Sequence, residues 1–158
     1  MICPQFTLPG IFSRESENQE KTYTLENIAK TEKVLLYFYP KDDTPGCSLQ
    51  ATEFTAYFQN FLDLGVTVVG VSPDDISSHC NFQAKKELGI LLLSDPEKTL
   101  IEPIGAWGEK INYGKTYTGL IRSTFLIDRN SGEILESWKN IRAKGHVERI
   151  LKILSDKK

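Results

Sequence analysis

The sequence predicts an α/β fold, a mixed central β-sheet flanked by helices on both faces. Three observations carry this. Lys33–Tyr39 and Val66–Val71 are continuous apolar runs rich in β-forming residues, as expected of strands buried on both faces. Each is followed by a segment that suits a helix, with apolar residues at helical spacing. A hairpin pattern and one last helix close the order, and such a succession packs as layers around a sheet.

Each element has a local reason. Ser13–Lys21 is polar and reads as a surface loop joining two short strands, an N-terminal β-hairpin extension. Thr24 is a candidate cap for a short helix through Lys30. Pro40 ends the first long strand, and Pro40–Gly46 is a loop. A helix is expected from about Cys47 to Leu64, with Phe54, Phe58, Phe61 and Leu62 on one side and Gly65 as its stop. After the Val66–Val71 strand, Asp74 or Asp75 caps a helix to about Leu88. Ile90–Leu93 is a short strand, and Pro96 sits near the start of another helix. Trp107–Leu120 reads as an extended loop or hairpin. Ser123–Asp128, the turn Arg129–Gly132 and Glu133–Lys139 form a strand pair, and a helix runs from about His146 to Leu154. This order matches the thioredoxin architecture, although order alone also fits flavodoxin-like folds.

The bulk numbers narrow the function. The 158 residues fit a single domain, 1–158, and 40% hydrophobic content suffices for a core. The 19 basic and 21 acidic residues form no basic block, so nucleic acid is not an expected partner. No secretory signal or membrane-length apolar run is visible, which makes the cytoplasm the expected location and a membrane partner unexpected. Cys3, Cys47 and Cys80 are too few for a disulfide scaffold, and no ligand cluster suggests zinc.

The informative stretch is Pro40-Lys41-Asp42-Asp43-Thr44-Pro45-Gly46-Cys47. It lies where a buried strand hands over to a helix, so Cys47 falls in the first helical turn. Unpaired N–H groups and the positive end of the helix dipole favour a thiolate there. Strong activation of a cysteine takes roughly 3.4 kcal/mol of differential stabilisation. A helix terminus supplies about 0.3–1 kcal/mol, up to about 2 in favourable geometry. A nearby cation is therefore expected. Arg122, just before a strand, is the leading candidate, because a guanidinium stays charged and donates from several positions. Lys41 and Lys115 are weaker ones. Thr44, three residues before Cys47, brings a hydroxyl that both donates and accepts, which suits positioning a small polar substrate beside the sulfur. Pro45 fixes the loop and lacks an N–H, so it can shield the sulfur. The plainer alternative is that Cys47 is a small buried residue and nothing more.

Pro40-x-x-x-Thr44-x-x-Cys47 resembles the signature of peroxiredoxins. Tyr37–Cys47 together with Gly70–Asp74, Leu93–Asp95, Trp107–Lys110, Tyr113–Tyr117 and Arg122–Asp128 is similar to the peroxiredoxin Q subfamily, also called bacterioferritin comigratory protein. The likeness spans nearly the whole chain. It implies a thioredoxin fold and a peroxidase of hydrogen peroxide and organic hydroperoxides. It also implies that Cys47 is the peroxidatic cysteine, that Thr44 and Arg122 bind the peroxide, and that Pro40 and Pro45 shape the loop. Thioredoxin is the implied reductant, no metal, haem or flavin is implied, and a monomer is the implied state.

Many members of the subfamily carry a second, resolving cysteine five residues after the first, where this chain has Thr52. Others carry it on the next helix, at the position of Gln83 here. Cys80 lies one turn earlier and is the candidate resolving thiol. Its alternative is core packing, since Ile76, Cys80, Ala84 and Leu88 recur every four residues. A Cys47–Cys80 bond requires Cα atoms within about 7 Å, so local unwinding of the Cys47 helix, and of the Cys80 helix with it, is expected on oxidation. Loop closure of roughly 3.7 kcal/mol is comparable with the cost of opening a helical turn. Cys3 is expected to be buried packing in the first strand. If neither resolves, the enzyme works as a one-cysteine peroxidase with an external thiol.

Other residues have plainer readings. Trp107 and Tyr113 either border the site or pack. Gln50, three residues after Cys47, is placed to hydrogen-bond near the site, and His79 to tune the adjacent Cys80 thiol, but the plainer reading of both is a solvent-facing helical residue; Asp42 and Asp43 read as pointing to solvent or pairing with Lys41. His146 has no evident partner. A disulfide reductase is disfavoured because Thr44 stands where a CxxC motif would need its first cysteine. A holdase or redox-sensing module is the non-catalytic alternative.

Overall fold

The computed structural model describes residues 1–12, 21–112 and 114–157. The loop expected at Ser13–Lys21, apart from Lys21 itself, and Tyr113 lie outside the described residues. The described strands are β1 (Leu8–Ile11), β2 (Lys21–Tyr23), β3 (Lys33–Phe38), β4 (Val66–Ser72), β5 (Leu91–Ser94), β6 (Trp107–Asn112), β7 (Lys115–Leu120), β8 (Ser123–Asp128) and β9 (Ile134–Trp138). The helices are α1 (Pro45–Ala56), α2 (Phe58–Asp63), α3 (Ile76–Lys86) and α4 (His146–Asp156).

Seven strands form one mixed sheet in the order β2-β1-β5-β4-β3-β8-β9. β3, β4 and β5 are parallel, and β8 returns antiparallel beside β3. The hairpin β1–β2 extends the sheet beyond β5. β6 and β7 form a separate two-stranded hairpin, so Trp107–Leu120 takes the hairpin form of its two readings.

The central strands are largely apolar because both sheet faces are covered. On one face, Leu35, Tyr37 and Tyr39 pack with Phe54, Phe61, Phe82, Val147 and Ile150, which come from all four helices. On the other, Val34, Leu36, Phe38 and Val71 pack with Phe6, Ile28, Leu100, Ile101 and Ile104. That second layer is built of turns, where a helix after Pro96 was expected. Asp95 accepts from the backbone N–H groups of Thr99, Leu100 and Ile101, and Gly105 turns the chain at φ +93°. The carboxylate thus takes over donors that a regular helix would use.

The helix expected after Thr24 is likewise a single turn. Thr24 N donates to Asn27 Oδ1 and Asn27 N to Thr24 Oγ1, which closes the turn with no run of helix behind it. The helix expected over 47–64 is two, broken at Tyr57 (φ −99°, ψ 10°). The break lets Phe54 and Phe61 meet in one cluster, with ring centroids 5.8 Å apart. No helix among the described residues is long and apolar enough to cross a membrane.

Candidate active site

The register of the sheet explains why the site forms. β3 pairs with β8 so that Phe38 lies opposite Ser123. The chain therefore enters β8 at the same end where β3 hands over to α1, and Arg122 arrives beside the start of that helix. Thr44 is the N-cap, with extended backbone (φ −95°, ψ 157°), and Pro45 occupies the first turn, where its missing N–H costs nothing. Cys47 follows in that turn and is 1% exposed.

Arg122 Nη2 lies 3.3 Å from Cys47 Sγ, within hydrogen-bonding range of sulfur. Its Nη1 donates to Gln50 Oε1 at 2.6 Å. One planar group is thus held by a buried amide and aimed at a sulfur. Gly46 makes room for it, since a Cβ there would sit 3.2 Å from Nη2. Gln50 is fully buried, contrary to the solvent-facing reading. Its spacing of three from Cys47 was the available signal, because residues three apart share a helix face. Lys41 and Lys115 are exposed.

Thr44 Oγ1 donates to Lys41 O at 3.0 Å. Its hydrogen is committed to the loop, and the oxygen lone pairs are left to accept. Pro45 is exposed, and Pro40 partly so, where the loop leaves β3. Beneath the helix, Tyr37 stacks on Phe54 with centroids 4.5 Å apart. Gly70 permits this, since a Cβ there would lie 2.8 Å from the Tyr37 ring. Burial pushes the Tyr37 phenol well up, and negative charge at Cys47 and Asp42 adds to this, against the opposing pull of Arg122. The hydroxyl therefore keeps its proton.

Two further expectations are corrected. Asp42 is buried, and it accepts from Tyr39 Oη at 2.6 Å, Ser78 Oγ at 2.7 Å and His79 Nδ1 at 2.7 Å. His79 is fully buried. The α3 register explains both. Asp75 caps the helix by accepting from Ser78 N, and the buried side is then His79, Phe82 and Gln83. The stripe Ile76–Cys80–Ala84 lies off that side, so Cys80 is a partly exposed thiol and not core. Asp43 does meet solvent, but its partner is Lys85 at 2.6 Å rather than Lys41.

Cys3 is buried, at 5% exposure, but it lies in an extended segment before β1 rather than in a strand. Its backbone N–H donates to Gly132 O, and burial pushes its thiol up to about 11. Trp107 packs against the face opposite Cys47, with Lys98 Nζ 4.8 Å from its ring centroid, so it is a packing aromatic.

His146 is fully buried at the start of α4 and pairs through Nε2 with Thr124 Oγ1 at 2.9 Å. Burial, then Arg149 and Arg122, pull its pKa down from 6.5 to about 4. Between those values the unfolded chain binds a proton that the native one refuses, so stability falls as pH drops through that window. The loss reaches about 3 kcal/mol when complete. Urea midpoints at pH 7 and pH 4.5 should therefore differ less in His146→Gln than in the native chain. An equal difference in both would contradict the assignment.

Known proteins resemble this chain along most of its length. The AhpC/TSA family profile matches residues 2–136. Peroxiredoxin Bcp of Bacillus subtilis is 42% identical over 127 residues, covering 80% of each chain. A putative peroxiredoxin bcp of Haemophilus influenzae is 40% identical over 152 residues, covering 96% of this chain and 92% of its own. Among solved structures, Xanthomonas campestris bacterioferritin comigratory protein superposes with a TM-score of 0.80 at 33% identity, over 95% of this chain and 91% of that one. A Xylella fastidiosa PrxQ mutant gives 0.81 at 33% identity, over 99% and 96%. With a guanidinium on a buried first-turn cysteine and these relatives across its length, the chain belongs to the AhpC/TSA family, as a peroxiredoxin of the Q, or bacterioferritin comigratory, type.

Proposed function

We propose that this chain, as one domain, reduces hydrogen peroxide and organic hydroperoxides with Cys47 as the attacking sulfur and thioredoxin as the reductant, in the cytoplasm. The observation that carries the reading is the 3.3 Å contact between Arg122 Nη2 and Cys47 Sγ. The alkyl peroxide reduction ascribed to the Xanthomonas campestris relative supports the substrate class.

The chemistry follows from the geometry. The thiolate is the nucleophile. It attacks the terminal peroxide oxygen, an S–O bond forms, and the O–O bond breaks. The leaving oxygen takes a proton and departs as water or alcohol, and the cysteine becomes a sulfenic acid. Arg122 stabilises negative charge on the sulfur and on the oxygen that receives the electron pair, which is transition-state stabilisation. Thr44 accepts from the peroxide O–H and so orients it. Cys80 then condenses with the sulfenic acid, forming a disulfide and releasing water, and a dithiol such as thioredoxin reduces that disulfide by exchange.

Resolution requires rearrangement. Successive helical residues turn by about 100°. Ser78 and Lys85 face the Asp42–Asp43 loop, which puts Cys80 on the opposite flank of α3. Unwinding of α3 is therefore part of the proposed cycle. That same placement favours a second reading, a one-cysteine cycle served by an external thiol.

Peptide mass spectrometry after one equivalent of peroxide separates the two. The expected product is a Cys47–Cys80 crosslink that thioredoxin removes. A persistent sulfenic acid on Cys47 with Cys80 still reduced selects the one-cysteine cycle. Unmodified Cys47 overturns both.

A further inference from the structure

The reaction as proposed gives no task to the most completely buried ionisable pair in the described residues. Asp42 Oδ2 accepts from both Ser78 Oγ and His79 Nδ1, and His79 Nε2 lies 2.9 Å from Leu93 O. A carbonyl can only accept, so Nε2 carries a hydrogen. The other ring nitrogen faces a carboxylate oxygen, so a proton lies between them as well. The side chains are 0% and 3% exposed. Withdrawing Asp42 leaves the buried Nδ1 of His79 without a counterpart, and withdrawing α3 strips Asp42 of Ser78 and His79 and leaves it Tyr39 Oη alone, so the pair resists opening from one side.

What matters is where its two ends are anchored. Asp42 belongs to the loop that carries Thr44 and leads into α1 at Cys47. His79 immediately precedes Cys80 on α3. Asp42 N also donates to Asp74 Oδ2 at 2.6 Å, next to the Asp75 cap of the same helix. The peroxide-binding loop and the helix with the second thiol are thus fastened by one buried junction.

We propose that the Asp42–His79 pair is a latch that makes release of the Cys47 segment and unwinding of α3 a single event. Asp42 and His79 are positioning residues. While closed, the latch holds the Thr44 loop in place for attack. When α3 opens to deliver Cys80, His79 leaves with it, Asp42 loses its partner, and the start of α1 is freed in the same step. The use of the latch rests on Cys80 resolving Cys47, whereas its mechanical coupling does not.

Amide hydrogen exchange on the reduced full-length protein tests this, read separately for segments 45–56 and 76–86. His79→Gln and Asp42→Asn should each speed exchange in both segments by about tenfold or more. The double variant should add little, because one junction is broken once. Lys85→Ala, which removes only the exposed bridge to Asp43, should leave segment 45–56 unchanged. If His79→Gln loosens only 76–86, or Asp42→Asn only 45–56, the latch is refuted. Should either single variant fail to fold, Ser78→Ala gives the same two-segment reading on a smaller scale. Crosslink mapping in the native chain is scored independently. Coupled exchange without a Cys47–Cys80 bond upholds the latch and removes Cys80 from the cycle, whereas a bond without coupled exchange does the reverse.

Discussion

Peroxide consumption should vanish in Cys47→Ser and fall about 10²–10³-fold in Arg122→Met, the loss typical when one charge-stabilising donor is removed from a reacting oxygen. The methionine keeps some of the side-chain bulk, so the helix start stays covered. What it removes is the nitrogen 3.3 Å from the sulfur and its companion bond to Gln50. Arg122→Lys should recover little. A single ammonium cannot place one nitrogen on Gln50 Oε1 and another on Sγ in one plane. Gln50→Ala should fall between native and Arg122→Met, because the guanidinium remains but loses its support. Stopped-flow measurement of the second-order rate with hydrogen peroxide gives all four numbers. A rate for Arg122→Met within threefold of native would show that the guanidinium does not serve the reaction.

The second large effect concerns stability. Asp42→Ala should lower unfolding free energy by about 3–5 kcal/mol, the usual cost of leaving one member of a buried, hydrogen-bonded ionisable pair without its partner. That is a large part of the roughly 5–15 kcal/mol a domain has in total. Asp42→Ala/His79→Leu should restore more than half of it, since no unmatched ring is left inside. Some loss should persist. The Tyr39 hydroxyl, whose pKa burial and Asp42 raise well above normal, would lose its 2.6 Å acceptor, at about 1–3 kcal/mol. Urea denaturation of the single and double variants closes the cycle. A double variant as unstable as the sum of the two singles would mean that the pair has no energetic coupling.

Much of this was legible in the residues. The largely apolar runs at β3 and β4 announced strands covered on both sides, and Pro40 and Pro45 marked the handover to α1. The cation was deduced from energetics, because a helix terminus alone is too weak, and Arg122 stood at the right strand end. Three of the failures share one cause. Asp42, Gln50 and His79 are polar residues that the fold buries, and polarity alone suggests solvent. Their burial depends on partners 36 to 72 positions away, Ser78 and His79 for Asp42 and Arg122 for Gln50. No local pattern reports such pairings. The α3 stripe failed differently. Spacing by four fits Ile76, Cys80 and Ala84 as well as it fits His79 and Gln83, and only the Asp75 cap and the sheet beneath select between them. The missing helix after Pro96 was lost to Asp95, a side chain that competes for backbone donors from outside the segment.

The seclusion of Cys3 has a practical consequence. Its sulfur sits at 5% exposure with its proton held up to about 11, so in the native state an alkylating reagent finds neither access nor anion. Once the chain opens globally, that sulfur becomes ordinary. The slow appearance of modified Cys3 in a labelling time course is thus an internal gauge of whole-molecule opening, readable in the same spectrum as Cys47 and Cys80 and needing no introduced probe.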